Sequence, residues 1–127
     1  MIEINNLSKK KIDTGFLKKI AQNILKKERK SGLEISVALI GQSEIKEINK
    51  KYRRNNKPTD VLSFFYGESG EIIICLDMVK KGKEELARVF IHGLLHVLGY
   101  DHEKTQKEAK IMQQKENYYL SQKYGKK

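Results

Sequence analysis

The chain has 127 residues, 39% of them hydrophobic, with one proline, one cysteine and no tryptophan. That length predicts one domain, residues 1–127, with enough core to hold without staples, and the lone Cys75 excludes an internal disulfide. Lysine and arginine outnumber aspartate and glutamate by 26 to 16, and the net charge of +10 points either to a polyanionic partner or to a solvated lysine-rich surface.

Ile2 and Ile4 alternate with polar neighbours, as in a short strand. Asp13 or Thr14 offers an N-cap for a helix whose apolar face is Leu17, Ile20, Ala21, Ile24 and Leu25. Leu33, Ile35, Val37 and Leu39 then alternate as a second strand that Gly41 ends. A second helix is expected next, capped by Ser43 and carrying Ile45, Ile48 and Tyr52, and Arg53 to Asp60 reads as a loop around Pro58. The runs Val61 to Tyr66 and Glu71 to Leu76 predict a hairpin turned by residues 67–70, its Ile72, Ile73 and Ile74 covered on both faces. Glu84 to Leu98 predicts a buried helix, and the polar stretch after His102 is helix-prone with a weak apolar stripe. Together these elements predict an α+β fold: a mixed sheet of about four strands packed with helices, with a metal site at the end of the buried helix. The longest apolar run, Ile72 to Leu76, is too short for a membrane span and no leader-like segment opens the chain, so a soluble, cytoplasmic protein is expected.

All three histidines fall within His92, Gly93, Leu94, Leu95, His96, Val97, Leu98, Gly99, Tyr100, Asp101 and His102. His92 and His96, four apart on a helix, project from one face at a spacing that lets two imidazoles grip one ion. A straight helix would carry His102 about 15 Å along the axis, so the chain must turn back, and Gly99 stands where a helix end takes a left-handed residue. Either histidine alone reads as a core side chain; the three in this register read as ligands of one zinc ion, with an open position for a water nucleophile. The pattern is the long zincin signature with one departure, Gly93 in place of the general-base glutamate. Asp101 is a candidate partner for the third ligand or a proton carrier, and Cys75 is read as core rather than as a fourth ligand. Asp60 and Asp77 are N-caps as readily as site residues. Basic clusters, six residues from Lys46 to Lys57 and nine from Lys9 to Lys30, flank the nearly neutral histidine segment as a binding surface would.

HGLLHVLGYDH, with PTDVLSF upstream and GEIIIC between them, closely resembles the YbeY family of bacterial endoribonucleases, and the similarity runs from the EINN segment into the C-terminal helix. The resemblance implies a single-domain α+β metalloprotein that binds zinc through His92, His96 and His102. It implies an enzyme, a metal-dependent endoribonuclease acting on single-stranded RNA in maturation of the small-subunit ribosomal RNA 3′ end and in ribosome quality control. Its partners are then RNA and the ribosome or its small subunit, and Arg53 falls where the family carries an arginine important for activity, suited to holding phosphate or developing charge. On composition alone Arg53 is one more surface cation, and Ser63 is explained by strand alternation as well as by support of the site. The connection between Cys75 and Glu84 is shorter than relatives usually carry.

Two rival readings stand beside this one. A zincin-like metallopeptidase shares the histidine spacing, but Gly93 weighs against it. A ribosome-assembly factor with a structural zinc shares the charge and the ligands without the chemistry.

Overall fold

Strand β1 (Ile2–Asn6), helix α1 (Gly15–Lys27) and strand β2 (Glu34–Ile40) open the chain, and β1 pairs with β2 in parallel, Ile2 opposite Ile35 and Ile4 opposite Val37. The computed structural model describes residues 1–53, 59–79, 82–101 and 103–124, and of 52, 53, 123 and 124 the backbone alone. Helix α2 (Gln42–Arg53) leads to the hairpin of β3 (Val61–Phe65) and β4 (Ser69–Cys75), and a short 3₁₀ turn, Leu76–Met78, follows. Helices α3 (Lys83–Val97) and α4 (Gln106–Tyr124) complete the order. The described strands form one mixed sheet in the order β1-β2-β4-β3: β4 runs parallel to β2 and antiparallel to β3, and β3 is an edge.

Strand alternation sorts the side chains into two layers. Ile35, Val37, Leu39, Ile72 and Ile74 point to one face and build the larger core with the apolar stripes of α1 and α3 and with Met112, Tyr119 and Leu120 of α4. Ile40, Leu62, Ile73 and Cys75 point to the other face, where Ile45 and Ile48 of α2 cover them. The Ile72-Ile73-Ile74 run is therefore apolar throughout because β4 lies between two strands and two helix layers. Cys75 is buried, and burial pushes its thiol pKa up, as suits a core residue.

Local details correct parts of the sequence reading. Thr14 does occupy the N-cap of α1, but its side chain makes no capping bond; Asp13 Oδ1 instead accepts the Gly15 N–H at 3.0 Å. Ser43 is not the cap of α2, which already begins at Gln42. Its orphan N–H groups are taken by two carboxylates: Glu44 accepts from Gly41 N at 3.0 Å, and Asp77, 35 residues on, accepts from Gln42 N at 3.0 Å. Asp77 is thus a cap reached through space. The loop at Pro58 lies outside the described residues.

Two glycines let α3 approach the sheet. A Cβ at Gly70 would stand 2.4 Å from Val97 Cγ1. One at Gly93 would meet Val61 Cγ2 at 2.9 Å, Ile72 Cγ2 at 3.0 Å and Ser63 Oγ at 3.1 Å. Helix and sheet therefore touch almost backbone to backbone along this line.

Candidate functional site

Helix α3 is buried along Leu86, Ala87, Phe90, Ile91, Leu94 and Leu95, which leaves His92 and His96 on its remaining face, one turn apart. Their ring centroids are 4.8 Å apart at an interplanar angle of 76°. The Glu116 carboxylate of α4 meets Nδ1 of His92 in a short hydrogen bond. A carboxylate there favours the tautomer with its proton on Nδ1, which puts the lone pair of His92 on Nε2, the atom a metal takes. The His92 side chain is 30% exposed while that of Glu116 is 11% exposed, so the acid forms the covered side of the pair.

The helix ends in a closed cap. Gly99 takes φ 106°, its N–H donates to the His96 carbonyl at 3.0 Å, and the Tyr100 N–H donates to the Leu95 carbonyl at 3.0 Å. This pair of bonds around a left-handed residue is the Schellman arrangement, and it breaks the helix axis immediately after the second histidine. Asp101 then turns inward on its own loop, Oδ1 accepting the Glu103 N–H at 2.9 Å.

The loop is anchored from behind by Glu28 at the C-cap of α1. Its carboxylate accepts from Tyr100 Oη at 2.8 Å, from Lys115 Nζ at 2.9 Å and from Tyr119 Oη in a short bond. Burial raises the Glu28 pKa, but the bonds from Tyr119, Lys115 and Tyr100 outweigh it and hold the carboxyl below its usual range. Tyr119 and Tyr100 are pushed up, chiefly by burial and then by the same carboxylate.

The histidines open into a groove of about 880 Å³ between edge strand β3 and the end of α3, with Phe65, Arg88, Val97 and Asp101 among its walls. Ser63 of β3 donates its hydroxyl to the Gly93 carbonyl at 2.9 Å and ties the edge strand to the histidine helix. Gly93 itself is enclosed by Val61, Ile72 and Ser63, so a glutamate at that position has no space. The general-base glutamate of the peptidase arrangement is absent, and packing against the sheet disfavours one at this position.

Of the predicted site residues, the structure brings His92 and His96 together on the groove. His102 lies outside the described residues, as does the side chain of Arg53, whose backbone closes α2. Among the described residues no cluster of three or more metal-ligating side chains forms, and the two imidazoles with Glu116 behind them match the donor chemistry of a zinc site. Glu116 was missed in the sequence. Its signal was an acid at 116 on the stripe formed by Met112, Tyr119 and Leu120, because a carboxylate on a buried stripe requires a partner.

Comparison with known proteins bears on what this site does. The family model described as "Endoribonuclease YbeY" matches residues 3–124. The chain is similar to the endoribonuclease YbeY of Persephonella marina, 40% identical over 123 residues that cover 84% of this chain and 80% of the relative. It is similar to that of Aquifex aeolicus, 38% identical over 130 residues covering 91% and 87%. A solution structure of a Thermotoga maritima protein matches with a TM-score of 0.65 at 31% identity, covering 98% of this chain and 90% of that one. None of the described helices is long and apolar enough to cross a membrane. With its histidine helix, its hairpin and nearly its whole length inside the match, the chain belongs to the YbeY family of endoribonucleases.

Proposed function

We propose that this protein is a zinc-dependent, single-strand-specific endoribonuclease of the cytoplasm, working on ribosomal RNA at the 3′ end of the small subunit and in ribosome quality control. The observation that carries the reading is the His92 and His96 pair, His92 held by Glu116 and both lining a groove beside an edge strand. His92, His96 and His102 hold the ion. Zinc bound there supplies Lewis acidity, lowering the pKa of water and polarising a phosphoryl oxygen. Glu116 fixes the His92 ring, and Ser63 and Gly93 fix the helix beneath it. Arg53 holds a phosphate or the charge that develops on it, and the basic surface, +10 overall, draws the strand in. The partial exposure of His92 favours this reading over a structural zinc, which closes its site with protein ligands.

The test is cleavage of end-labelled single-stranded RNA by the purified chain, by chelator-treated and zinc-restored samples, and by a folded His96→Ala variant. Cleavage that vanishes with metal or with His96 and returns with zinc supports the proposal. Folded, zinc-loaded protein that cleaves neither free RNA nor RNA on the small subunit overturns it in favour of an assembly factor.

A further inference from the structure

Phe65 is the last residue of β3 and sits 56% exposed. The other three phenylalanines are accounted for: Phe16 and Phe90 are buried, and Phe64 packs on the α2 face of the sheet. Strand alternation places Phe65 on the opposite face from Phe64, in line with Val61 and Ser63, the two residues of β3 that touch Gly93 of the histidine helix. Phe65 therefore belongs to the α3 side, yet the helix does not cover it. Helix α3 stops at Val97 and the chain breaks away at Gly99, so the sheet surface beyond that point stays open.

Its surroundings shape the ring into a platform. The register sets Phe65 opposite Gly70, which presents no side chain, and Val97 fills the space a Cβ at Gly70 would need. Phe65 and Val97, the residue after His96, line the same groove as His92, Tyr100 and Asp101. An exposed aromatic ring thus lines the same cleft as the candidate metal-ligating imidazoles. Phenylalanine has no polar tip, so the step offers a flat π-face and no hydrogen bond to a base edge.

We infer that Phe65 is a stacking platform for one unpaired nucleobase of the RNA strand, and that it is a source of the preference for single strands. The inference rests on the ribonuclease reading of the groove. A base in a duplex has both faces covered by its neighbours, whereas an unpaired base has a face to give, and stacking on an aromatic side chain is tolerant of base identity. The groove walls carry Arg88 along with Asp60, Glu85, Asp101, Glu103 and Glu116, so the attraction for the phosphates on either side of that base comes from the +10 charge of the whole chain and not from the groove lining. Phe65 touches substrate away from the reacting phosphate and sets how the strand lies across the histidines.

The experiment measures binding of a fluorescent, unstructured RNA 12-mer and of the same strand in a duplex to the full chain at low and moderate salt. It compares the unaltered protein with Phe65→Ala, Phe65→Trp and Phe65→Leu, and follows thermal unfolding of each. Phe65→Ala is expected to weaken single-strand binding roughly tenfold, the loss of one stacked base. Its salt slope and melting temperature should stay unchanged, since no phosphate contact and little buried area is removed. Phe65→Trp should bind as tightly as the unaltered protein or tighter, and the preference for single strand over duplex should shrink in Phe65→Ala. Phe65→Leu keeps apolar bulk without the ring and decides the matter if Phe65→Ala does not fold. Equal single-strand affinity in Phe65→Leu or Phe65→Ala and the unaltered chain overturns the platform while leaving the ribonuclease reading intact. Failure of the unaltered chain to bind RNA even at low salt overturns both.

Discussion

Glu116 and His92 lie 24 residues apart on different helices and meet carboxylate to Nδ1 at the groove that carries the candidate metal ligands. The contact does two jobs. It satisfies an acid on the buried stripe of α4, and it turns the His92 ring so that Nε2 is its basic nitrogen.

Removing that partner should weaken metal binding at the proposed site. Glu116→Ala is expected to lower zinc affinity by about 10- to 100-fold, read by competition against a chromophoric chelator, with Glu116→Gln intermediate because an amide still accepts from Nδ1. Unchanged affinity in Glu116→Ala would show that the ring is oriented by other contacts.

Gly93 is expected to resist substitution although it sits inside a helix, where alanine is ordinarily better by about 1 kcal/mol. Overpacking against Val61, Ile72 and Ser63 costs about 1–3 kcal/mol, and the three neighbours close the space from several sides. Gly93→Ala should therefore gain nothing and lose up to about 2 kcal/mol in urea unfolding, and a clear gain in stability would contradict the close approach of α3 to the sheet. Gly93→Glu should destabilise further and acquire no peptide cleavage.

Glu28 sets the acid limb of the stability profile. Its pKa is held below the usual 4.5 in the folded protein, so its contribution is present above pH 4.5 and is lost as pH falls through the depressed value. Tyr100 and Tyr119 behave oppositely: their raised values favour the neutral phenols, and that stability fades as pH climbs above 10.0. Glu28→Gln should flatten the loss of stability below pH 4.5, measured as the urea midpoint against pH. An acid limb identical to that of the unaltered chain would remove Glu28 as its source.

Arg29 and Gly99 occupy equivalent positions, each just past a helix end with positive φ, 60° and 106°. The cap after α1 has the same bond pattern as that after α3, Arg29 N to the Lys26 carbonyl at 3.2 Å and Lys30 N to the Leu25 carbonyl at 2.7 Å. Arg29→Gly should accordingly stabilise by about 0.5–1 kcal/mol, and Gly99→Ala should destabilise by about 1 kcal/mol or more, since only glycine takes this conformation without cost. Calorimetric melting of both variants checks the pair, and opposite signs are the expected result.

Periodicity alone determined most of the elements. The stripe of α1, the alternation of β2, the hairpin and the apolar run of α3 are written in spacings of 3.6 and 2, and each matches the helix or strand found there. The i, i+4 histidines and the left-handed glycine were legible for the same reason, being relations within one turn or one cap. The strand order, with β4 between β2 and β3, was not legible, because pairing depends on which helix layers can close over which faces. Nor were Asp77 at the start of α2, Glu116 behind His92, or Glu28 beneath Tyr100, since each joins residues at least 24 positions apart. A buried carboxylate announces in the sequence that it needs a donor, but which donor it finds is decided by how the helices stack. Gly93 shows both levels at once: its departure from the zincin pattern was visible in the sequence, and its cause, a helix lying against Val61 and Ile72, belongs to the tertiary structure.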